Sequence, residues 1–385
     1  MTSAIESSAR WRVLAAIIAS ISVVGLAAGL TGPLVSLNLD YRGVDSTLIG
    51  VIAGAPALGV LLFSPYVPGL VARLGARATL QLAIGVGAGS IVALPFLPLY
   101  WQWLPPRILT GMAIGTLFTV SETWINQIAE EHNRGKMVGV YATVFSLCFA
   151  VGPLLIVTTG ARGVLPFAVS CAILIGAALP LFWARAELPA VADKPSFGVL
   201  GFMRNAAELC AAVMLFAFID TASLSLLPLF ALRHGYDEAT GALMASVAIA
   251  GNIALQIPIG WLADRMSRRR LLLILGWLVL ICAASLPFVI YDAWLLWPVL
   301  LVLGAAVGGV YTLALIIVGQ RYTGIELVTA NAAFGVLWGV GSLIGPLLSG
   351  AGMRLLNPDG LAVVWALAGA LFVGLFVHTR RLHQS

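Results

Sequence analysis

The chain has 385 residues, of which 61% are hydrophobic and only 10% charged, against the roughly 25% charged residues that cover a soluble domain. No soluble fold of this length hides so much apolar side chain, so its solvent must be lipid. A net charge of +5 does not indicate nucleic acid, because the basic residues sit in short connections and form no aromatic-interleaved patch.

A bilayer-spanning helix needs about 20 mostly apolar residues. Cutting the chain at charged and turn-rich breaks predicts twelve such runs. In the first half they lie at about 13–37, 46–71, 78–99, 104–128, 137–159 and 164–183, and in the second at about 207–232, 239–263, 271–290, 295–319, 327–350 and 361–378. The runs are continuous, with no ten-residue alternation, so helices are expected and a barrel is not. The first run is too long for a signal-peptide core and lacks a cleavage signal, so it reads as a retained span. Between the sixth and seventh runs lies the longest polar interruption. The expected organisation is therefore a six-helix half over 1–183, a linker over 184–205 and a second six-helix half over 206–385. Abundant glycine, 41 residues, suits close helix approach in lipid. Cys148, Cys171, Cys210 and Cys282 fall inside apolar runs without metal-ligand spacing and read as small buried residues.

Topology follows from lysine and arginine. With the N-terminus inside, sixteen basic residues fall on the inner side and five (Arg42, Arg107, Arg162, Arg233 and Arg354) on or near the outer side. Both termini are expected in the cytoplasm of a cell-membrane protein. Trp101, Trp103, Trp294 and Trp297 lie near outer ends and read as interfacial anchors.

The two halves repeat. Gly260-Trp261-Leu262-Ala263-Asp264-Arg265-Met266-Ser267-Arg268-Arg269 has an imperfect copy starting at Pro68, with Ala72 in the place of Asp264. Arg42-Gly43-Val44-Asp45 matches His234-Gly235-Tyr236-Asp237, Gly111 and Gly115 match Gly304 and Gly308, and Gly152-Pro153 matches Gly345-Pro346. Six-span halves of like topology are related by an axis along the membrane normal.

The stretch from Gly260 through Asp264 and Arg265 to Arg268 and Arg269 resembles the loop motif of the major facilitator superfamily, with Ser267 in the place of the second glycine. Arg107-Ile108-Leu109-Thr110-Gly111 resembles that family's Arg-x-x-x-Gly motif, and Gly152-Pro153 resembles a reduced form of the motif of its proton-coupled antiporters. The resemblance implies an all-α membrane protein of twelve transmembrane helices in two pseudo-symmetric halves. It also implies alternating access to a site between those halves, with the loop motif as a cytoplasmic gate. The complete loop motif stands here after the eighth run, whereas the family usually carries it after the second.

Candidate functional residues come from two filters. An ionisable group at membrane depth is costly and therefore informative. A polar residue present in one half only is a better functional candidate than one shared by both. Asp220, Glu122, Arg107, Asn252 and Gln256 pass both tests or the second, since their counterparts are Ala28, Leu315, Leu300, Val60 and Ser64. Asp220 lies mid-way along the seventh run. Arg107, Glu122 and Asn126 share one helical face, and Asn252 and Gln256 are an i,i+4 pair. Asp220 and Glu122 read either as coupling carboxylates or as hydrogen-bonded structural acids. Arg107 either meets a partner or snorkels at the outer end, and Asn252 and Gln256 either bind substrate or join helices. Tyr311, Trp124 and Trp338 are possible cavity aromatics. Asp264 would cap the start of the fifth span, whereas Arg265 and Arg268–Arg270 would hold topology. The two-sided Gly152-Pro153 and Gly345-Pro346 read as packing and bending elements.

No nucleotide-binding signature, metalloprotease motif or nucleophile elbow is present. The expectation is a secondary transporter and not an enzyme, a monomer without cofactor or metal. It would move a small organic solute on an ion gradient, with proton-coupled efflux ahead of proton-coupled uptake. A lipid flippase or a non-transporting sensor is a more remote alternative.

Overall fold

The computed structural model describes residues 2–128, 134–181, 206–254, 256–322 and 324–382. Within these ranges the side chains of Glu122, Trp124, Asn126, Gln256 and Asp264 lie outside the described residues. All regular structure is helical, and no strand occurs among the described residues. In hydrocarbon the backbone must satisfy its own hydrogen bonds, which an α-helix does within one segment.

Among the described residues twelve principal helices follow one another. The first six are α1 (Thr2–Tyr41), α2 (Ser46–Phe63), α3 (Ala76–Ala93), α4 (Leu104–Ile128), α5 (Arg134–Val151) and α6 (Leu165–Gly176). The second six are α7 (Ala207–Arg233), α8 (Glu238–Ala254), α9 (Arg268–Val289), α10 (Ala293–Arg321), α11 (Gly324–Leu355) and α12 (Gly360–Leu382). Among the described residues, eight stretches are long and apolar enough to cross a membrane, in α1, α2, α3, α7, α9, α10, α11 and α12. Shorter apolar helices occur in α5, α6 and α8, and α4 is 25 residues long. Each expected span thus has a helix over most of its described length, the third ending short of residues 97–99. The expected linker lies almost wholly outside the described residues.

Several expected spans are composite. The second continues past Phe63 through a short turn into Val67–Leu74, and the eighth resumes as Gln256–Arg265, which carries Gly260. The fifth is interrupted where Gly152-Pro153 opens a tighter turn, Gly152–Leu155, before Ile156–Thr159. Proline has no N–H to donate and its ring crowds the preceding turn, which permits that break without dictating it. The matching Gly345-Pro346 lies inside the continuous α11. The repeat therefore keeps the residues and not the break.

The chain divides into two compact units, 1–38 with 55–192 and 39–54 with 193–385. Each is built from helix pairs that approach through glycine. In the first unit, Gly111 of α4 faces the Pro56 carbonyl of α2, Gly59 of α2 faces the Ile108 carbonyl of α4, and Gly115 lies on Val60. In the second unit the same positions pair again. Gly304 of α10 faces the Ala248 carbonyl of α8, Gly251 faces the Leu301 carbonyl, and Gly308 lies on Asn252. Gly152 meets the Gly29 backbone of α1, as Gly345 meets Phe218 of α7. The third pairing is α3 with α6 and α9 with α12. At each of these glycines except Gly115, where the fit on Val60 is merely tight, a Cβ would collide with backbone or with a packed side chain, so glycine sets the interhelical distance.

The repeated Gly-x-Asp turns share one local geometry. Gly43 and Gly235 have positive φ of 75° and 89°, the left-handed conformation that glycine adopts without a Cβ penalty. Val44 N–H donates to Leu39 O and Tyr236 N–H to Ala231 O, both at 3.1 Å, closing the helix end. Asp45 then accepts from Thr47 N–H and Asp237 from Thr240 N–H, both at 2.9 Å, opening the next helix. Hydrogen bonds from Thr240 hold the Asp237 carboxyl below the usual carboxylate range.

Residues 39–54 are tied into the second unit by polar contacts around these turns. Arg233 pairs with Asp40 at 2.9 Å, Arg354 with Asp45 at 3.4 Å, and Tyr41 Oη donates to Glu238 at 2.5 Å. Partly exposed pairs of this kind contribute up to about 1 kcal/mol each and weaken with salt. Arg233→Ala should lower unfolding free energy by about 1 kcal/mol in low salt, and by less in high salt, in a thermal melt of the detergent-solubilised protein. Gly304→Leu should cost about 3 kcal/mol or more through overpacking against backbone, visible as loss of the monodisperse species. Gly85→Leu is the control, because nothing lies within 4 Å of its Cβ position.

Candidate functional site

The second unit holds the acid that sequence reasoning singled out. Asp220 is the middle residue of the 27-residue α7, about 20 Å of helical rise from either end. One side of α7, carrying Met214, Ala217, Phe218 and Thr221, packs on α11. Gly341 and Gly345 admit the α7 backbone there, and Thr221 Oγ1 donates to Ser342 Oγ at 2.9 Å. At 100° per residue, Asp220 and Phe216 point away from that contact and lie about 40° apart. Phe216 stacks on Tyr311 of α10, with ring centroids 4.5 Å apart and planes 20° from parallel.

Asp220 is only partly buried. No hydrogen bond or ion pair to it exists among the described residues, and the neighbouring Thr221 hydroxyl is committed to Ser342. A carboxylate in that position has no fixed counter-charge among the described residues, and removing a charge from water without one costs several kcal/mol. Its chemical capacity is therefore to take up a proton or a mobile cation.

The other candidates take different places. Arg107 on α4 is buried at 5% exposure, which removes the snorkelling reading. Thr110, one turn away, is buried too and donates back to the Pro106 carbonyl at 2.8 Å. Asn252 fills the seat on Gly308 that Val60 fills on Gly115 in the first unit, so its side chain sits in the α8–α10 seam. Glu122 and Asn126 of α4, Gln256 and Asp264 have side chains outside the described residues, as does Trp124. Trp101 and Trp294 are 56% and 89% exposed. Trp103 corrects the sequence expectation. It is fully buried, donates to the Leu97 carbonyl at 3.1 Å, and meets Phe167 edge-on at 5.8 Å.

The charged loop is braced within its own unit. The Arg265 guanidinium stacks 3.7 Å from the Trp261 ring centre, Arg268 donates to Gln320 at the end of α10, and Arg269 pairs with Glu208 at 2.7 Å. Glu208 stands in the first turn of α7, where the helix dipole favours negative charge. Among the described residues, no group of three His, Cys, Asp or Glu could hold a metal ion, and all four cysteines are free.

Sequence reasoning missed two aromatic features. Phe216 was legible as the i−4 neighbour of Asp220. In the first unit, Tyr141, Phe145 and Phe149 recur every four residues on α5 and stack along one face. Phe118 of α4 meets Phe145 edge-on at 4.9 Å. That spacing was the available signal.

Asn252→Val should leave the fold intact, with a stability change within about 1 kcal/mol, because valine occupies the equivalent seat at Val60. Gly308→Val should cost about 1–3 kcal/mol in a thermal melt, since its Cβ would fall on the Asn252 side chain and displace it.

A profile of the Major Facilitator Superfamily matches residues 17–254 and 209–384. Bacillus subtilis (strain 168) has a protein named as the uncharacterized MFS-type transporter YfkF. It is 25% identical over 350 residues, covering 89% of this chain and 88% of that protein. An uncharacterized MFS-type transporter of Yersinia pestis (strain Pestoides F) is 26% identical over 352 residues, with 90% of each covered. In fold, the chain is similar to the crystal structure of nucleoside transporter NupG. That match has a TM-score of 0.77 at 13% identity and covers 98% of this chain and 99% of that one. A bacterial homologue of the human lysosomal transporter Spinster, inward-facing and occupied, matches with a TM-score of 0.74 at 15% identity, covering 96% and 97%.

Proposed function

The chain belongs to the Major Facilitator Superfamily and is a secondary transporter of that family, and we propose that it exports a small amphipathic organic solute in exchange for protons. The observation that carries this reading is Asp220. It is a mid-span carboxylate with no hydrogen-bond or ion-pair partner among the described residues, and such a group must gain and lose a neutralising cation as access alternates. Proton-coupled uptake of a metabolite differs only in the direction of coupling, so the same carboxylate would serve it.

The reading extends to the setting. The excess of basic residues in alternate connections supports a cell-membrane protein with both termini on the cytoplasmic side. The protein acts as a monomer without cofactor, and the proton gradient supplies the energy. Asp264 serves as a latch that favours closure on the cytoplasmic side, and the arginines around it hold the loop to its own helices. Arg107 and Asn252 have packing roles, with Glu122 a second acid in reserve.

Two measurements test this. In proteoliposomes carrying an internal pH dye, a panel of neutral, anionic and cationic amphiphiles is applied against a pH gradient. At least one should drive counter-movement of protons in the wild type, and Asp220→Asn should reduce that exchange at least tenfold. In pH-difference infrared spectra, a protonated-carboxyl band should be present in the wild type and absent in Asp220→Asn. Full exchange by Asp220→Asn, or a band that survives the substitution, removes Asp220 from the mechanism. For the latch, Asp264→Ala should shift the distance distribution between spin labels on the cytoplasmic ends, and an unchanged distribution overturns it.

A further inference from the structure

We propose that Asp220, Phe216 and Tyr311 form a recognition site for a monovalent organic cation, a substituted ammonium with an apolar body. The inference rests on the reading of Asp220 as the transport carboxylate, and it specifies what else that carboxylate binds.

The first observation is charge without a partner. In the second unit the described basic side chains stand at helix ends or in loops. They are Arg42, Arg233, Arg265, Arg268, Arg269, Arg270, Arg321 and Arg354, and Asp220 is at the centre of its helix. None of them pairs with Asp220. Arg233, Arg269 and Arg354 are committed to Asp40, Glu208 and Asp45. An anionic solute would meet uncompensated repulsion at this site, and a neutral one would leave the carboxylate unpaired.

The second observation is the aromatic pair one helical turn away. Phe216 and Tyr311 are stacked nearly parallel, so Phe216 turns its second face away from Tyr311. A cation over an aromatic face within about 6 Å of the ring centre is attracted by the ring quadrupole. Fixed carboxylate and π-face on one side of α7 are the two elements that recognise quaternary and protonated amines.

The third observation separates organic from inorganic cations. Hard metal ions need several oxygen ligands, and no group of three His, Cys, Asp or Glu side chains that could hold one exists among the described residues. The nearest hydroxyl in sequence, Thr221, is bonded to Ser342. An organic ammonium needs only one carboxylate and apolar or aromatic surroundings. Phe216, Leu224 and Leu227, within about 40° of the acid around the helix axis, supply the apolar side chains on its own face of α7.

The experiment uses the full chain in lipid nanodiscs and three radiolabelled probes: benzyltrimethylammonium, its uncharged carbon isostere neopentylbenzene, and the anion phenylmethanesulfonate. Binding is read after correction for empty nanodiscs. The wild type should bind the cation at least tenfold more tightly than either other probe. Asp220→Asn should abolish that preference and Asp220→Glu should retain most of it. Phe216→Leu should weaken cation binding about three- to tenfold, and Tyr311→Phe, which keeps the π-face, should change it less than twofold. All four variants are first checked for a monodisperse species. Equal affinity for the cation and its isostere, or undiminished cation binding by Asp220→Asn, overturns the proposal. The carboxyl infrared band separates the two readings. If that band is present while cation preference is absent, the ligand class falls and proton coupling at Asp220 stands. If the band is absent, the coupling reading itself falls.

Discussion

Each half of this protein depends on the distance at which two helix backbones can approach one another in lipid. Between helices in a bilayer the hydrophobic effect offers little, because acyl chains are as apolar as leucine. Association must come from close van der Waals contact, which requires the absence of a Cβ at the crossing. Gly111 on Pro56, Gly59 on Ile108, Gly304 on Ala248 and Gly251 on Leu301 are four instances of one solution. Their recurrence at matching positions makes the two halves structural copies, despite little agreement in the side chains around them.

Charge is distributed according to the same solvent. Ionic pairs gather at the ends of the helices, where water screens them and their net worth is small. Arg233 with Asp40, Arg354 with Asp45 and Arg269 with Glu208 are of this kind. Asp220 departs from the pattern by standing at the centre of α7 with no partner among the described residues. A group that costs stability and is not compensated locally belongs to function more often than to architecture.

Several residues shared by both halves stand at packing and capping positions: the Gly-x-Asp turns end one helix and cap the next, and Gly152 and Gly345 seat α1 and α7. Residues present in one half take different structural places. Asn252 replaces Val60 against an equivalent glycine and so occupies a packing seat. Arg107 was ambiguous because sequence position alone cannot tell whether a helix end faces lipid or protein, and the structure buries it. Trp103 failed for the same reason. Its indole N–H reaches the Leu97 carbonyl, a contact set by the turn between α3 and α4.

Composition and periodicity sufficed for the solvent, the twelve spans and the half-length repeat, because these depend on properties that accumulate over about 20 residues or more. They sufficed also for Asp220, because one carboxylate in an apolar run needs no neighbour to be conspicuous. Which face of α7 it occupies, and that Phe216 stacks on Tyr311 beside it, depend on how α7 rotates against α10 and α11. That rotation is set by glycine contacts from far along the chain, such as Gly341 and Gly345 on α7. Local sequence carries no record of such contacts, and only the packed helices decided them.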